Sequence, residues 1–126
     1  MLVLDSGGVS RLSARTKTAL SLIRAFNAQE LWPPVVPTMV LVESLLGDQR
    51  RDANTHRFLK MCIIDPSVSE STARRAAELR RLARTGSAVD ALVVAIAEPG
   101  GTVVTGDRAD IEALAAHANR VAVEVV

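Results

Sequence analysis

Apolar residues fall into two rhythms along the 126-residue chain. Short runs rich in β-branched residues, "MLVLD", "PVVPT", "CIIDP", "TVVT" and "VAVEVV", read as strands. Longer stretches with apolar positions three and four apart read as helices between them. These are "TKTALSLIRAF", "MVLVESLLG", "RDANTHRFLKM", a basic stretch from about Val68 to Arg84, "AVDALVVAIAEPGG", and the segment between the last two strands. Local signals set their ends: Thr38 caps the second helix and Gly47 closes it, while Ser67 and Glu70 form a capping box for the basic helix, with Gly86 just past its end. Pro37 breaks the second strand, Pro66 stops the third, and Pro99 with the glycines after it turns the chain before "TVVT". There is no internal repeat and no low-complexity linker.

Alternating strand and helix implies an α/β fold, a three-layer sandwich around a central, mostly parallel sheet of about five strands, because parallel neighbours need a crossover connection. The length fits one domain, residues 1–126, with a single sizeable core. The N-terminus "MLVLDSGG" reads as the first strand rather than a signal peptide. No apolar run is long enough to span a bilayer, so a soluble, cytoplasmic protein is expected. Cys62 is the only cysteine, which removes disulfides and cysteine-rich metal sites, and His56 and His117 lack ligand spacing for zinc. Phe26, Trp32 and Phe58 are too few for a base-stacking platform. Trp32, beside Pro33 and Pro34, reads as a loop anchor, and Leu92, Val93 and Ile96 read as core. "PGGT" lacks the lysine and spacing of a phosphate loop.

The carboxylates change the picture. In open α/β sheets ligands sit outside the carboxyl ends of the strands. Asp5 lies at that end of the first strand, and Asp107 follows the later strand "TVVT", so the two can face one crevice. Glu43 interrupts "MVLVESLL" and Asp90 interrupts "AVDALVVAIA", and a charge within an apolar helix is rarely buried without a partner. Each acid alone reads as an exposed or capping residue. Gathered in one place, unpaired carboxylates raise one another's pKa unless a cation neutralises them. Oxygen donors without Cys or His select Mg²⁺, or Mn²⁺ as a substitute, over zinc. Such a site can activate water and offset the charge that develops on a phosphodiester during cleavage.

The ordered pieces "VLDSG" with Asp5 and Ser6, "VLVESLLG" with Glu43, "AVDALVVAIA" with Asp90, and "VVTGDRADI" with Thr105, Asp107 and Asp110 span nearly the whole chain. In this set the sequence resembles PIN domains, and among them the toxin ribonucleases of bacterial VapBC toxin–antitoxin pairs. The resemblance implies a PIN-like fold and a Mg²⁺-dependent endoribonuclease in which Asp5, Glu43, Asp90 and Asp107 surround the metal. It implies Asp110 as a further ligand or a residue behind the ligands, with Ser6 and Thr105 as supporting residues. It also implies an RNA substrate, a homodimer, and a cognate antitoxin whose segment blocks the site. Gly7 and Gly8 depart from the family pattern, where bulkier residues are common.

Charge distribution fits a nucleic-acid substrate better than the formal net charge of +1. Setting aside the five clustered acids leaves nine acids against 15 Lys and Arg, so the rest of the protein is basic. Arg80 and Arg84, four apart on one predicted helix face, can contact phosphates; the alternative for them is a solvated face. A rival reading is a phosphoacceptor receiver-type signalling domain, with Asp65 ending the third strand and Thr105 the fourth. It leaves Glu43 and Asp90 without a role, and no lysine follows Lys60 to complete it. A third reading is a PIN-like module that binds a partner without catalysis.

Overall fold

The computed structural model describes every residue from Met1 to Val126. In chain order the elements are β1 (Leu2–Leu4), α1 (Ser6–Ser13), α2 (Lys17–Ala28), β2 (Val35–Pro37), α3 (Thr38–Ser44) and α4 (Ala53–Leu59). They continue with β3 (Ile63–Asp65), α5 (Glu70–Ala83), α6 (Ala88–Ala97), β4 (Thr102–Thr105), α7 (Arg108–Ala115) and β5 (Ala122–Val125). The strands form one sheet in the order β3-β2-β1-β4-β5, and every pairing is parallel. The chain winds outward through β1, β2 and β3, then returns to place β4 on the other side of β1. The order therefore reverses between β1 and β4, where an open α/β sheet leaves a crevice at the carboxyl ends of its strands. A receiver-type sheet has the order 2-1-3-4-5; here β3 is an edge strand, and Asp65 stands two strands away from β1.

The two central strands explain the layers. Leu2, Val3, Leu4, Val103 and Val104 are all buried, an uninterrupted apolar run that requires cover on both faces. α1 and α6 each pack on both β1 and β4; α1 gathers α2, α3 and α4 beside it, while α5, α6 and α7 pack on one another. Val9 and Leu12 of α1, with Val93, Val94 and Ala97 of α6, complete the core from the two sides. Fully burying one such Val or Leu is worth about 1.5–3 kcal/mol, which pins the two helices to the centre of the sheet. Edge strand β3 is different: Ile63 and Ile64 remain partly open to solvent.

Several element ends differ from the sequence reading. α1 was not announced by the pattern, since its first turn carries two glycines and it buries only one apolar stripe. Pro37, not Thr38, occupies the cap position of α3, and the helix ends at Ser44 rather than at Gly47. α5 starts at Glu70 under a Ser69 cap that accepts from the Thr72 N–H, so the Ser67–Glu70 capping box does not form. Ser67 instead donates its N–H to the Asp65 carboxylate, closing the turn after β3. α5 ends at Ala83 and Arg84 adopts a left-handed conformation, so Arg80 and Arg84 do not share a helical face. The sheet is fully rather than mostly parallel.

Candidate acidic site

Helix starts at the carboxyl end of the sheet place the acids. β1 stops at Leu4, and Asp5 caps α1, its Oδ1 accepting the Gly8 N–H at 2.8 Å. Its Oδ2 accepts from the Thr105 hydroxyl, which sits fully buried at the end of β4. Asp5 is only 5% exposed, and that burial is the largest influence on its carboxyl, pushing its pKa above the ordinary value of 3.8. The Asp90 charge pushes the same way; the Thr105 hydroxyl and the Gly8 and Gly7 N–H groups oppose it. Thr105 also accepts the Asp107 N–H at 2.8 Å, so one hydroxyl ties the carboxylate after β1 to the backbone after β4.

Gly7 and Gly8 make this junction possible. A Cβ on Gly7 would meet the Gly106 nitrogen at 2.5 Å, and one on Gly8 would meet the Val104 carbonyl oxygen at 2.5 Å. Only residues without side chains let α1 begin so close to the end of β4, which gives the paired glycines a structural reason.

On the other side of the junction, Asp107 caps α7 and accepts the Asp110 N–H at 3.3 Å. Asp90 is the third residue of α6 and completes a capping box: its Oδ2 accepts the Ser87 N–H at 3.1 Å, and Ser87 Oγ accepts the Asp90 N–H at 3.0 Å. Asp110 accepts from the Thr85 hydroxyl at 2.5 Å. Carboxylate oxygens of Asp90, Asp107 and Asp110 all lie within 4.8 Å of one another. None of the three is ion-paired, since the salt bridges of the molecule join Arg74 to Glu70 and Arg75 to Glu78 and Glu98. The positive ends of α6 and α7 offset part of the mutual repulsion. A set of hard oxygen donors, none of them ion-paired, suits a divalent ion such as Mg²⁺ or Mn²⁺, and these three residues could hold one.

The sequence-derived residues thus fall into distinct places. Asp90 and Asp107 come together as a pair, and Asp110 joins them as a full member. Asp5 adjoins the group behind Thr105, feeling the Asp90 charge from its buried position. Glu43 stands outside the group of three, exposed on α3, a helix that packs on α1. Ser6 is the first residue of α1 and is half-buried. Arg80 and Arg84 lie at the C-terminal end of α5, next to Thr85. Sequence reasoning did not single out Ser87, Thr85 or Asp52. Ser87 had a local signal, the Ser-x-x-Asp spacing ahead of an apolar run. Thr85 had none, because its partner Asp110 is 25 residues away. Asp52 is buried and accepts the N–H groups of Leu46, Gly47 and Asp48 at 2.9–3.1 Å, holding the loop that leaves α3.

No family model and no curated protein sequence matches the chain. Among solved structures it is similar to FitAcB from Neisseria gonorrhoeae, with a TM-score of 0.66 and 18% identity over 98% of this chain and 96% of that one. It is similar as well to FitAB bound to an IR36 DNA fragment, with a TM-score of 0.66 and 19% identity over 99% of this chain and 94% of that one. Likeness at this level of identity shows the fold, and the PIN-like three-layer architecture expected from the ordered motifs is the fold of this chain.

Proposed function

We propose that this chain is a Mg²⁺-dependent endoribonuclease, the toxin of a toxin–antitoxin pair, built as one PIN-like domain over residues 1–126. The observation that carries the reading is the convergence of Asp90, Asp107 and Asp110 within 4.8 Å at the reversal point of the sheet, none of them ion-paired. Bound there, Mg²⁺ supplies an activated water and offsets charge on the cleaved phosphodiester. The protein's own residues set the stage for this. Asp90, Asp107 and Asp110 hold the ion, Thr105 fixes Asp5 against the backbone of Asp107, and Thr85 orients the Asp110 carboxylate. Asp5 and Glu43 complete the acidic wall implied by the motif resemblance. The likeness to FitAB supports a protein partner, an antitoxin in this reading; the homodimer is proposed on the motif resemblance alone. No helix is long and apolar enough to cross a membrane, which is consistent with an expected place in the cytoplasm.

A second reading, a PIN-like module that binds without cleaving, has one observation in its favour: the acids already serve the fold, as caps of α1, α6 and α7 or as the acceptor of a threonine hydroxyl. An RNA cleavage assay with Mg²⁺, with EDTA, and with Mg²⁺ restored separates the two. Cleavage that disappears in EDTA and returns with Mg²⁺ supports the ribonuclease; no cleavage in any arm leaves the binding module.

A further inference from the structure

Helix α5 divides into two electrostatic halves. Its upstream arginines are balanced, Arg74 by Glu70 and Arg75 by Glu78 and Glu98. Downstream, Arg80, Arg81 and Arg84 have no acidic partner, and together with Thr85 and Gly86 they line a cavity of about 380 Å³ without a single hydrophobic residue. Basic residues at a helix C-terminus commonly complement its dipole, and Arg80 also donates its Nε to the Gly86 carbonyl at 3.2 Å, in the loop after α5. Arg81 and Arg84 make no such bond. Three guanidinium groups around one cavity repel one another, and an anion entering it removes that repulsion. Apolar small molecules are poor candidates, because their pockets are lined mainly by hydrophobic and aromatic side chains. Planar guanidinium forks match the oxygens of a phosphate.

The cavity also shares a wall with the acidic site, since Thr85 lines the one and donates its hydroxyl to Asp110 in the other. The geometry points to a phosphodiester-binding subsite in which Arg81 and Arg84, aided by Arg80, hold an RNA phosphate beside the one presented to Asp90, Asp107 and Asp110. This deepens the ribonuclease reading and rests on it. The acids and the arginines divide the work: a purely acidic crevice repels a polyanion, and the adjacent cationic cavity anchors the strand so that one phosphodiester lies against the acids.

Arg84 permits an unusually clean variant. Its φ of 58° lies in the left-handed region, where glycine is at ease, so Arg84→Gly removes the guanidinium while relieving the backbone. Arg120 offers a matched control: it has a φ of 55° and lies before β5, at the amino end of the sheet, away from the acids. The experiment measures fluorescence anisotropy of a labelled single-stranded RNA in EDTA across a salt series, for wild type, Arg81→Gln/Arg84→Gly and Arg120→Gly, with a melting curve for each. The expected result is a Kd raised roughly tenfold or more in the double variant, the loss of at least one charge-assisted hydrogen bond. The slope of log affinity against log salt falls by roughly 0.7 for each arginine removed from a phosphate. Arg120→Gly stays close to wild type, and the double variant melts no lower than wild type. Equal affinity and slope in the double variant and Arg120→Gly, in a protein whose wild type cleaves RNA, overturn the subsite and leave the ribonuclease standing. A wild type that neither binds nor cleaves RNA overturns both. Displacement of the RNA by poly-glutamate of equal charge, or by inorganic phosphate at matched concentration, overturns the assignment to a phosphodiester.

Discussion

At the scale of single residues, two buried aspartates titrate in opposite directions. Asp52 accepts backbone N–H groups, that of Leu46 foremost, which hold its pKa below the ordinary 3.8. Its ionised form favours the folded state, so its contribution is present above pH 3.8 and is lost as pH falls through the lower folded value. An amide cannot accept four bonds in that place, so Asp52→Asn is expected to melt below wild type at pH 7, with the gap closing in acid. A gap that stays constant from neutral pH down to pH 3 in a series of melting curves counts against this. Asp5 runs the other way. Burial raises its pKa, so it stabilises the fold fully below 3.8 and that contribution is lost as pH rises through the folded value. Asp5→Asn should therefore melt a few degrees above wild type at pH 7 in EDTA, since an amide can still accept from Gly8 and donate to Thr105 Oγ1. A lower melting temperature would mean that the Thr105 hydroxyl needs the carboxylate. Membership of the converging carboxylates separates ligands from their supports. Asp107→Asn and Asp110→Asn are both expected to abolish single-turnover RNA cleavage, since each removes one of the three carboxylates proposed to hold the ion. Thr105→Val, which leaves all three in place, is expected only to slow it. An Asp110→Asn variant that keeps a readily measured rate would place Asp110 behind the ligands.

Among elements, the decisive contact is the approach of α1 to the end of β4. Gly8→Ala drives a methyl into the Val104 carbonyl, a backbone atom that cannot swing aside. The expected cost is about 1–3 kcal/mol, the usual range for overpacking, read as a lower denaturation midpoint at unchanged slope. Stability equal to wild type would show that α1 can shift away from β4. This contact also marks the limit of what the sequence could say. The five strands and most helices were legible because their apolar periods are long enough to count, and Asp5, Asp90 and Asp107 because they break or end those periods. α1 was hidden: a helix opening "SGG" has little propensity, and it forms because Asp5 caps it and Val9 and Leu12 are buried in the core. The Thr85–Asp110 pair is hidden because it spans 25 residues, and local pattern carries no information at that range; Thr105 is expected as a supporting residue, but its partner Asp5, 100 residues away, is not legible in the sequence. In the sequence Asp90 stands as a charge out of place in an apolar helix, whereas its capping box shows that the first turn of α6 uses a carboxylate for its own sake.

For the whole molecule, topology decides where charge can accumulate. A sheet whose order reverses between β1 and β4 directs the starts of the helices that follow those strands toward one opening, and α6 adds its own start beside them. Caps at helix starts are acidic for local reasons, so converging starts bring acids together as a by-product of the fold. The folded chain can therefore offer a set of carboxylates that the unfolded chain cannot assemble. An ion that binds the former and not the latter raises stability by RT ln(1 + [L]/Kd), about 1.4 kcal/mol at ten times its Kd. For a domain of this length that corresponds to a rise in melting temperature of roughly 3–6 °C. Scanning calorimetry in EDTA, then with excess Mg²⁺ or Mn²⁺, is expected to show the rise in wild type and to lose most of it in Asp90→Asn and in Asp107→Asn. Both variants should melt near or above wild type in EDTA, because each removes one of three mutually repelling charges. Melting temperatures that do not respond to either ion in wild type would leave the convergence of acids as a consequence of helix capping alone, and the ribonuclease reading would lose its metal.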